Sequence, residues 1–217
     1  MTTARRIRLA LVVYGLLAIA ALIWGLLRGA PDLYHHPSPW FDLPFPLGTG
    51  AALLAGVLVA LAVIASTRVL VRKTKWARTL HAEFREVLGP LRSTEIAVFA
   101  LSSGIAEEML FRGAMQPALG LVLSSLLFGA VHMGPIRRFW PWTLWATVMG
   151  FVFAVLFAAT GELLAPVVAH VLINYENMHF IEAFDPAPPE DSSESGSRSS
   201  ETPRLVGTKL RTGGPRG

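Results

Sequence analysis

The stretch SGIAEEMLFRGAM, residues 103–115, stands inside an apolar run that begins near Ser93 and continues to His132, and its reading decides the fold. On either side, IAVFAL at 96–101 and LVLSSLLFGAV at 121–131 carry no charge. An ionised side chain near the middle of a bilayer costs about 2.5–3.5 kcal/mol on insertion scales, so Glu107, Glu108 and Arg112 together demand more than a role as anchors. On a helix, positions four apart share a face, so Glu108 pairs with Arg112 while Glu107 points about 100° away, on the face of Phe111. One carboxylate is neutralised and the other remains available.

The rest of the chain fits the same solvent. Of its 217 residues 53% are hydrophobic and 16% charged, against about a quarter charged in an ordinary globular domain. Apolar stretches long enough to span a bilayer, about 20 residues each, lie at 9–27, 47–67, 93–114, 117–133, 140–160 and 162–182. The expected fold is all-α: a polytopic membrane bundle of about six transmembrane helices. The first stretch follows Arg5, Arg6 and Arg8 but exceeds the 7–15-residue core of a cleaved signal, so it is expected to be a retained span. Residues 31–46 hold five prolines with Asp32, His35, His36 and Asp42, which predicts a loop outside the membrane. Residues 68–92 are basic, with Trp76, Leu80, Phe84 and Val87 at helical spacing, which predicts an amphipathic helix on the inner surface. From Asp185 the composition of Pro, Ser, Gly and charge predicts disorder.

Three regions follow: 1–92 with two spans and the basic segment, 93–184 as the functional core, and 185–217 as the tail. The positive-inside rule puts Arg5 to Arg8, the 68–92 segment, Arg137 with Arg138, and the tail on one side. The protein is therefore expected in the cell (inner) membrane, multi-pass, with both termini cytoplasmic. Its net charge of +4 is spread between apolar runs and not interleaved with aromatics on one face, so the lipid bilayer is an expected partner and nucleic acid is not. The absence of cysteine excludes a disulfide framework, a thiolate nucleophile and a Cys-ligated zinc site.

Two further spans carry polar residues. His132 shares a face with Phe128, and His170 shares one with Asn174. A single histidine in such a run is usually a packing residue. Two of them, with an unpaired glutamate on a third span, point to hydrolysis by activated water. Low-dielectric surroundings strengthen a carboxylate as general base, His132 can orient the same water, and His170 with Asn174 can donate to a tetrahedral oxyanion. No covalent intermediate is needed. Metal-assisted hydrolysis, with Glu107, His132 and His170 as ligands of one divalent ion such as zinc, remains open beside a mechanism with no cofactor. His35 and His36 read as solvated loop residues, Glu176 and His179 as interfacial, and Trp140, Trp142 and Trp145 as an interfacial belt. Ser102 and Ser103 lack a nucleophile elbow.

In order along the chain, EEMLFR at 107–112 matches an EExxxR motif, FGAVH at 128–132 an FxxxH motif, and HVLIN at 170–174 an HxxxN motif. Over about residues 93–182 the chain resembles the CAAX-protease and bacteriocin-processing family of intramembrane proteases. The resemblance implies a Glu-dependent endopeptidase cutting near the C-terminus of membrane-associated substrates. Glu107 would be the base, Glu108 and Arg112 its support, His132 its assistant, and His170 with Asn174 the oxyanion site. The family includes proteases of prenylated CaaX proteins and bacterial relatives acting on peptides, bacteriocin precursors or sorting signals, as myxosortases do. The implied partner is a membrane-anchored protein or peptide substrate. A non-catalytic scaffold or immunity protein of the same fold, and a small proton-coupled transporter, are the competing functions.

Depth counting raises a conflict. At 1.5 Å per residue Glu107 lies roughly 21 Å into the third span and His170 roughly 12 Å below the outer surface, both in the outer half. His132, just before Arg137, falls near the cytoplasmic face. Gly134 and Pro135 suggest that the helix ends early and that 134–142 folds back, as shielded backbone permits. The site is then expected to open toward the outer half and to serve exported proteins with C-terminal anchors, prenylated cytosolic proteins being the alternative.

Overall fold

The computed structural model describes residues 2–134 and 139–186, and everything described is helix or connecting loop apart from one isolated β-bridge. In chain order the helices are α1 (Thr3–Leu27), α2 (Leu47–Lys73), α3 (Lys75–Leu88), α4 (Ser93–Glu108), a π-helical segment (Met109–Met115), α5 (Gln116–Val131), α6 (Trp140–Thr160) and α7 (Leu164–Ala183). The expected tail from 187 onward, and residues 135–138 of the expected fold-back, lie outside the described residues.

All six expected apolar stretches are helical, yet four helical runs are long and apolar enough to cross a membrane: α1, α2, the run Ser93–Val131, and α6. The protein is thus a multi-pass membrane protein. Two differences from expectation have physical causes. The third and fourth stretches form one continuous helical run of 39 residues. The sixth, α7, falls short because His170, Asn174, Asn177 and His179 dilute its apolar content.

The long run is bent at Gly120, whose φ of 82° and ψ of 165° break the helix inside α5. Only glycine takes such a positive φ without steric cost. Beyond the bend the chain doubles back: Phe111 meets Phe128 edge-on with centroids 5.1 Å apart, and Glu107 lies 3.5 Å from His132. Both pairs are centred on the Leu119–Gly120 bond, as the two arms of a hairpin must be. This removes the depth conflict, because Glu107 and His132 each sit roughly 19 Å from the bend at 1.5 Å per residue.

Small residues set how closely the helices approach. Gly48, Ala52, Gly56 and Ala60 recur every fourth position on the buried face of α2. That spacing lets α7 lie directly against it, as small-residue stripes do in membranes. On α4, a Cβ at Gly104 would stand 2.6 Å from Val171 Cγ2 and 3.1 Å from its backbone nitrogen. Gly104→Val therefore has to force α4 and α7 apart. Overpacking of this kind costs about 1–3 kcal/mol, so the midpoint of thermal unfolding in detergent is expected to fall by roughly 2–12 °C. An unchanged midpoint would show that the two helices separate freely there.

The loop after α1 is more than an exterior connection. Leu33 is buried with Ala21, Met109, Ala114, Phe157 and Leu163, closing the end of the bundle that faces the α6–α7 turn. Its neighbours satisfy the carbonyls left at the end of α6: Trp40 N donates to Ala158 O at 2.7 Å, Phe41 N to Ala159 O at 3.2 Å, and His36 N to Gly161 O at 2.8 Å.

At the opposite end, Arg6 of α1 donates to the carbonyls of Leu88 and Pro90 and lies 3.6 Å from Glu95, whose carboxylate caps α4 through the Arg92 N–H at 3.0 Å. There α3 also caps α7: His81 Nε2 contacts Phe184 O at 2.8 Å, and Arg85 donates to Ile181 O and Glu182 O at 2.8 and 2.7 Å. The start of α1 and the end of α7 thus share one end of the bundle.

Candidate active site

The π-helical segment begins immediately after the two glutamates, a departure from α geometry that is rare and frequent at functional sites. Glu108 and Arg112, on either side of its start, are both fully buried, with Glu108 Oε2 3.2 Å from Arg112 Nε. The guanidinium also donates to Gly150 O of α6 at 2.7 Å and lies 4.4 Å over the Phe128 ring. Gln116, at the segment's far end, donates to Ala154 O at 3.0 Å. The charged pair is therefore built into the seam between the hairpin and α6, away from open space.

Glu107 turns the other way. Its Oε2 is buried and receives no hydrogen bond from the protein. His132 Nε2 stands 3.5 Å from it and His170 Nε2 4.0 Å. The other nitrogen of each ring is engaged: His132 Nδ1 with Phe128 O at 2.7 Å, and His170 Nδ1 with Glu108 Oε1 at 2.7 Å. A carbonyl and a carboxylate only accept, so both Nδ1 atoms carry hydrogen, and in the neutral rings both Nε2 lone pairs face Glu107. His170 is held further by stacking on Phe153, centroids 4.9 Å apart. Asn174, one turn beyond on α7, donates through Nδ2 to Ser103 Oγ at 3.0 Å.

The structure thus brings Glu107, Glu108, Arg112, His132 and His170 into one connected group, with Asn174 attached through Ser103. Sequence reasoning missed Ser103, which it weighed only as a nucleophile, and Tyr14, the single hydroxyl in the apolar stretch 9–27. Glu176 belongs elsewhere, 3.7 Å from Arg68 in the seam between α2 and α7. His35 pairs with Asp32 at 2.8 Å in the exposed loop. That contact, foremost, raises the pKa of His35 above the ordinary imidazole value, with the Asp32 charge adding to it. As for a metal, Glu107, His132 and His170 face one another, but no three His, Asp or Glu side chains among the described residues are arranged to hold an ion.

A cavity of about 640 Å³ opens from Glu107, His132, His170 and Asn174. Its walls are largely apolar and include Phe128, Trp142, Trp145 and Phe153. Trp142 and Trp145, expected in an interfacial belt, line this space, whereas Trp140 is exposed. The cavity extends to Arg6, Leu9 and Val13 of α1 and to Trp76, Leu80, Phe84 and Val87 of α3. Leu9, Val13, Trp76 and Val87 are also exposed, so the mouth lies between α1 and α3. The apolar face of α3 lines this chamber. Helix α1 packs on α4 and the π-helical segment, with no comparable packing on α2. The chamber thus opens at the end that holds α3, the start of α1 and the end of α7, while Leu33 is packed into the other end of the bundle. This geometry runs against the opening expected from depth counting.

Comparison with known proteins bears on this core. Residues 91–175 match the family model described as type II CAAX prenyl endopeptidase Rce1-like. A Bacillus subtilis (strain 168) protein, described as uncharacterized protein YpbD, is 35% identical over 79 residues, which is 36% of this chain and 41% of that protein. The chain thus spans less than half the length of this curated relative. No solved structure matches. The segment bearing Glu107, His132, His170 and Asn174 is therefore similar to the Rce1-like CAAX prenyl endopeptidase domain, while α1, α2, α3 and the last two turns of α7 lie outside the match.

Proposed function

We propose that the protein is an intramembrane endopeptidase that hydrolyses a peptide bond of a membrane-anchored substrate with a water activated by Glu107. The observation that carries this reading is the position of Glu107. It is the carboxylate not committed to Arg112, and it stands at the inner end of an apolar chamber with two imidazole nitrogens turned toward it.

The steps follow from the donor and acceptor pattern. A water held by the Glu107 carboxylate and His132 Nε2 can donate one hydrogen to each, leaving an oxygen lone pair for the scissile carbonyl carbon. As the C–O bond forms, Glu107 takes the proton, and the carbonyl oxygen becomes an oxyanion. Neutral His170 has no hydrogen on Nε2, so it can donate to that oxyanion only after taking a proton from solvent onto Nε2 before the attack, with the Glu108 carboxylate at Nδ1 balancing the charge. The second N–H of Asn174 is the other donor. Glu107 then passes its proton to the leaving nitrogen, and the C–N bond breaks. Arg112 holds Glu108 in place for His170, so the buried pair acts on the reaction at one remove.

The gap beside α1 supports lateral access from lipid, hence a substrate carrying an apolar anchor. Arg72, Lys73, Lys75 and Arg78 near α3 support a cytoplasmic assignment for the mouth by the positive-inside rule. The chain has no cysteine, so Val87→Cys provides a single reporter at the mouth. It is expected to react with a membrane-impermeant thiol reagent in inverted vesicles and to stay unlabelled in intact cells. Labelling from outside intact cells would reverse the orientation.

The test of function is comparative proteomics of cells carrying wild type or Glu107→Gln. The expected result is a membrane-anchored protein that loses a terminal segment only with wild type. Identical terminal peptides in both strains would overturn the reading, and flux of a solute without any fragment would favour a transporter.

A further inference from the structure

Helix α1 runs parallel to α4 in a register fixed at the end of the bundle, where Arg6 Nη1 lies 3.6 Å from Glu95 Oε1. The same offset that pairs 6 with 95 pairs 14 with 103, which brings Tyr14 and Ser103 to one level. Tyr14 lies within interacting distance of the Ser103 hydroxyl and within electrostatic reach of Glu107. Tyr14, Ser103, Glu107 and Asn174 all line the same chamber.

Ser103 is the middle of this chain of contacts. Its Oγ accepts from Asn174 Nδ2 at 3.0 Å, and its approach to Ala100 O, at 3.4 Å, is longer than a good O–H···O bond. A hydroxyl has one proton and two lone pairs. Ser103 can therefore receive the amide hydrogen of Asn174 and turn its own proton to the Tyr14 oxygen. That fixes which N–H of Asn174 is spent on the protein and which is left for the chamber. We infer that Tyr14 is a positioning residue of the hydrolytic site: acting through Ser103, it holds the Asn174 amide so that the second N–H faces the oxygen of the carbonyl under attack. The inference rests on the peptidase reading above and extends the site to α1, outside the segment matched to the Rce1-like domain. The first helix then completes the oxyanion site besides crossing the membrane.

The test is a double-mutant cycle in liposomes on the substrate identified by comparison with Glu107→Gln, using wild type, Tyr14→Phe, Ser103→Ala and the double variant. Tyr14→Phe keeps the ring and removes only the hydroxyl. It is expected to lower kcat about tenfold, short of the 10²–10³ lost with a direct oxyanion donor, and to leave KM within about twofold. The double variant is expected to lose no more than Ser103→Ala alone, because one contact is removed twice. Wild-type kcat in Tyr14→Phe would overturn the inference, as would losses that multiply in the double variant. A fall in kcat matched by an equal fall in folded protein would also overturn it, reducing Tyr14 to a tether of α1. Should Glu107→Gln cleave as well as wild type, the peptidase reading fails whatever the Tyr14 variants do.

Discussion

Glu107→Gln is expected to reduce kcat by about 10²–10⁴, the range general-base catalysis contributes, while the protein folds and inserts normally. The amide keeps the shape and the burial, and no hydrogen bond from the protein to Glu107 Oε2 is lost. What disappears is the acceptor of the water's proton. KM should change little, since the carboxylate is assigned to activating water and not to gripping substrate. Reconstituted enzyme assayed by gel mobility of the cleaved substrate measures this directly. Activity within tenfold of wild type would move the base elsewhere, with His132 next in line at 3.5 Å.

Arg112→Ala is the second large effect, and it falls on stability. The side chain is fully buried between Glu108, Gly150 O and the Phe128 ring. Its removal leaves the Glu108 carboxylate buried with His170 as its remaining partner. Breaking a buried pair from one side costs about 3–5 kcal/mol, equivalent to roughly 6–20 °C in the unfolding midpoint of a domain this size. The paired replacement Glu108→Gln with Arg112→Met should recover much of that loss, because no charge is then left uncompensated. It should still cleave poorly, having lost the group that balances His170. A double variant as unstable as Arg112→Ala would mean that the guanidinium's packing, and not its charge, holds the seam.

The spacing of polar residues in apolar runs made the composition of the site legible. Glu108 and Arg112 sit four apart on a helix, so their pairing and the exclusion of Glu107 followed from helical geometry alone. Positions along the membrane normal were less legible, because counting at constant rise assumes straight spans. Gly120 lies in a stretch whose composition is as apolar as its neighbours', and only its backbone angles mark the bend. Tyr14 was invisible for another reason: its partner Ser103 is distant in sequence, and a register between two helices is set by contacts such as Arg6 with Glu95. The apolar face of α3 was read correctly as a face, but a membrane surface and an internal chamber present the same oily boundary to a periodic pattern.

Leu33, wedged into the far end of the bundle with Met109, Phe157 and Leu163, keeps that end filled with packed side chains. Under the proposed peptidase reading, substrate and products pass the mouth between α1 and α3. For the proposed peptidase, the two fragments then leave in sequence, and release of the more apolar one is expected to limit turnover.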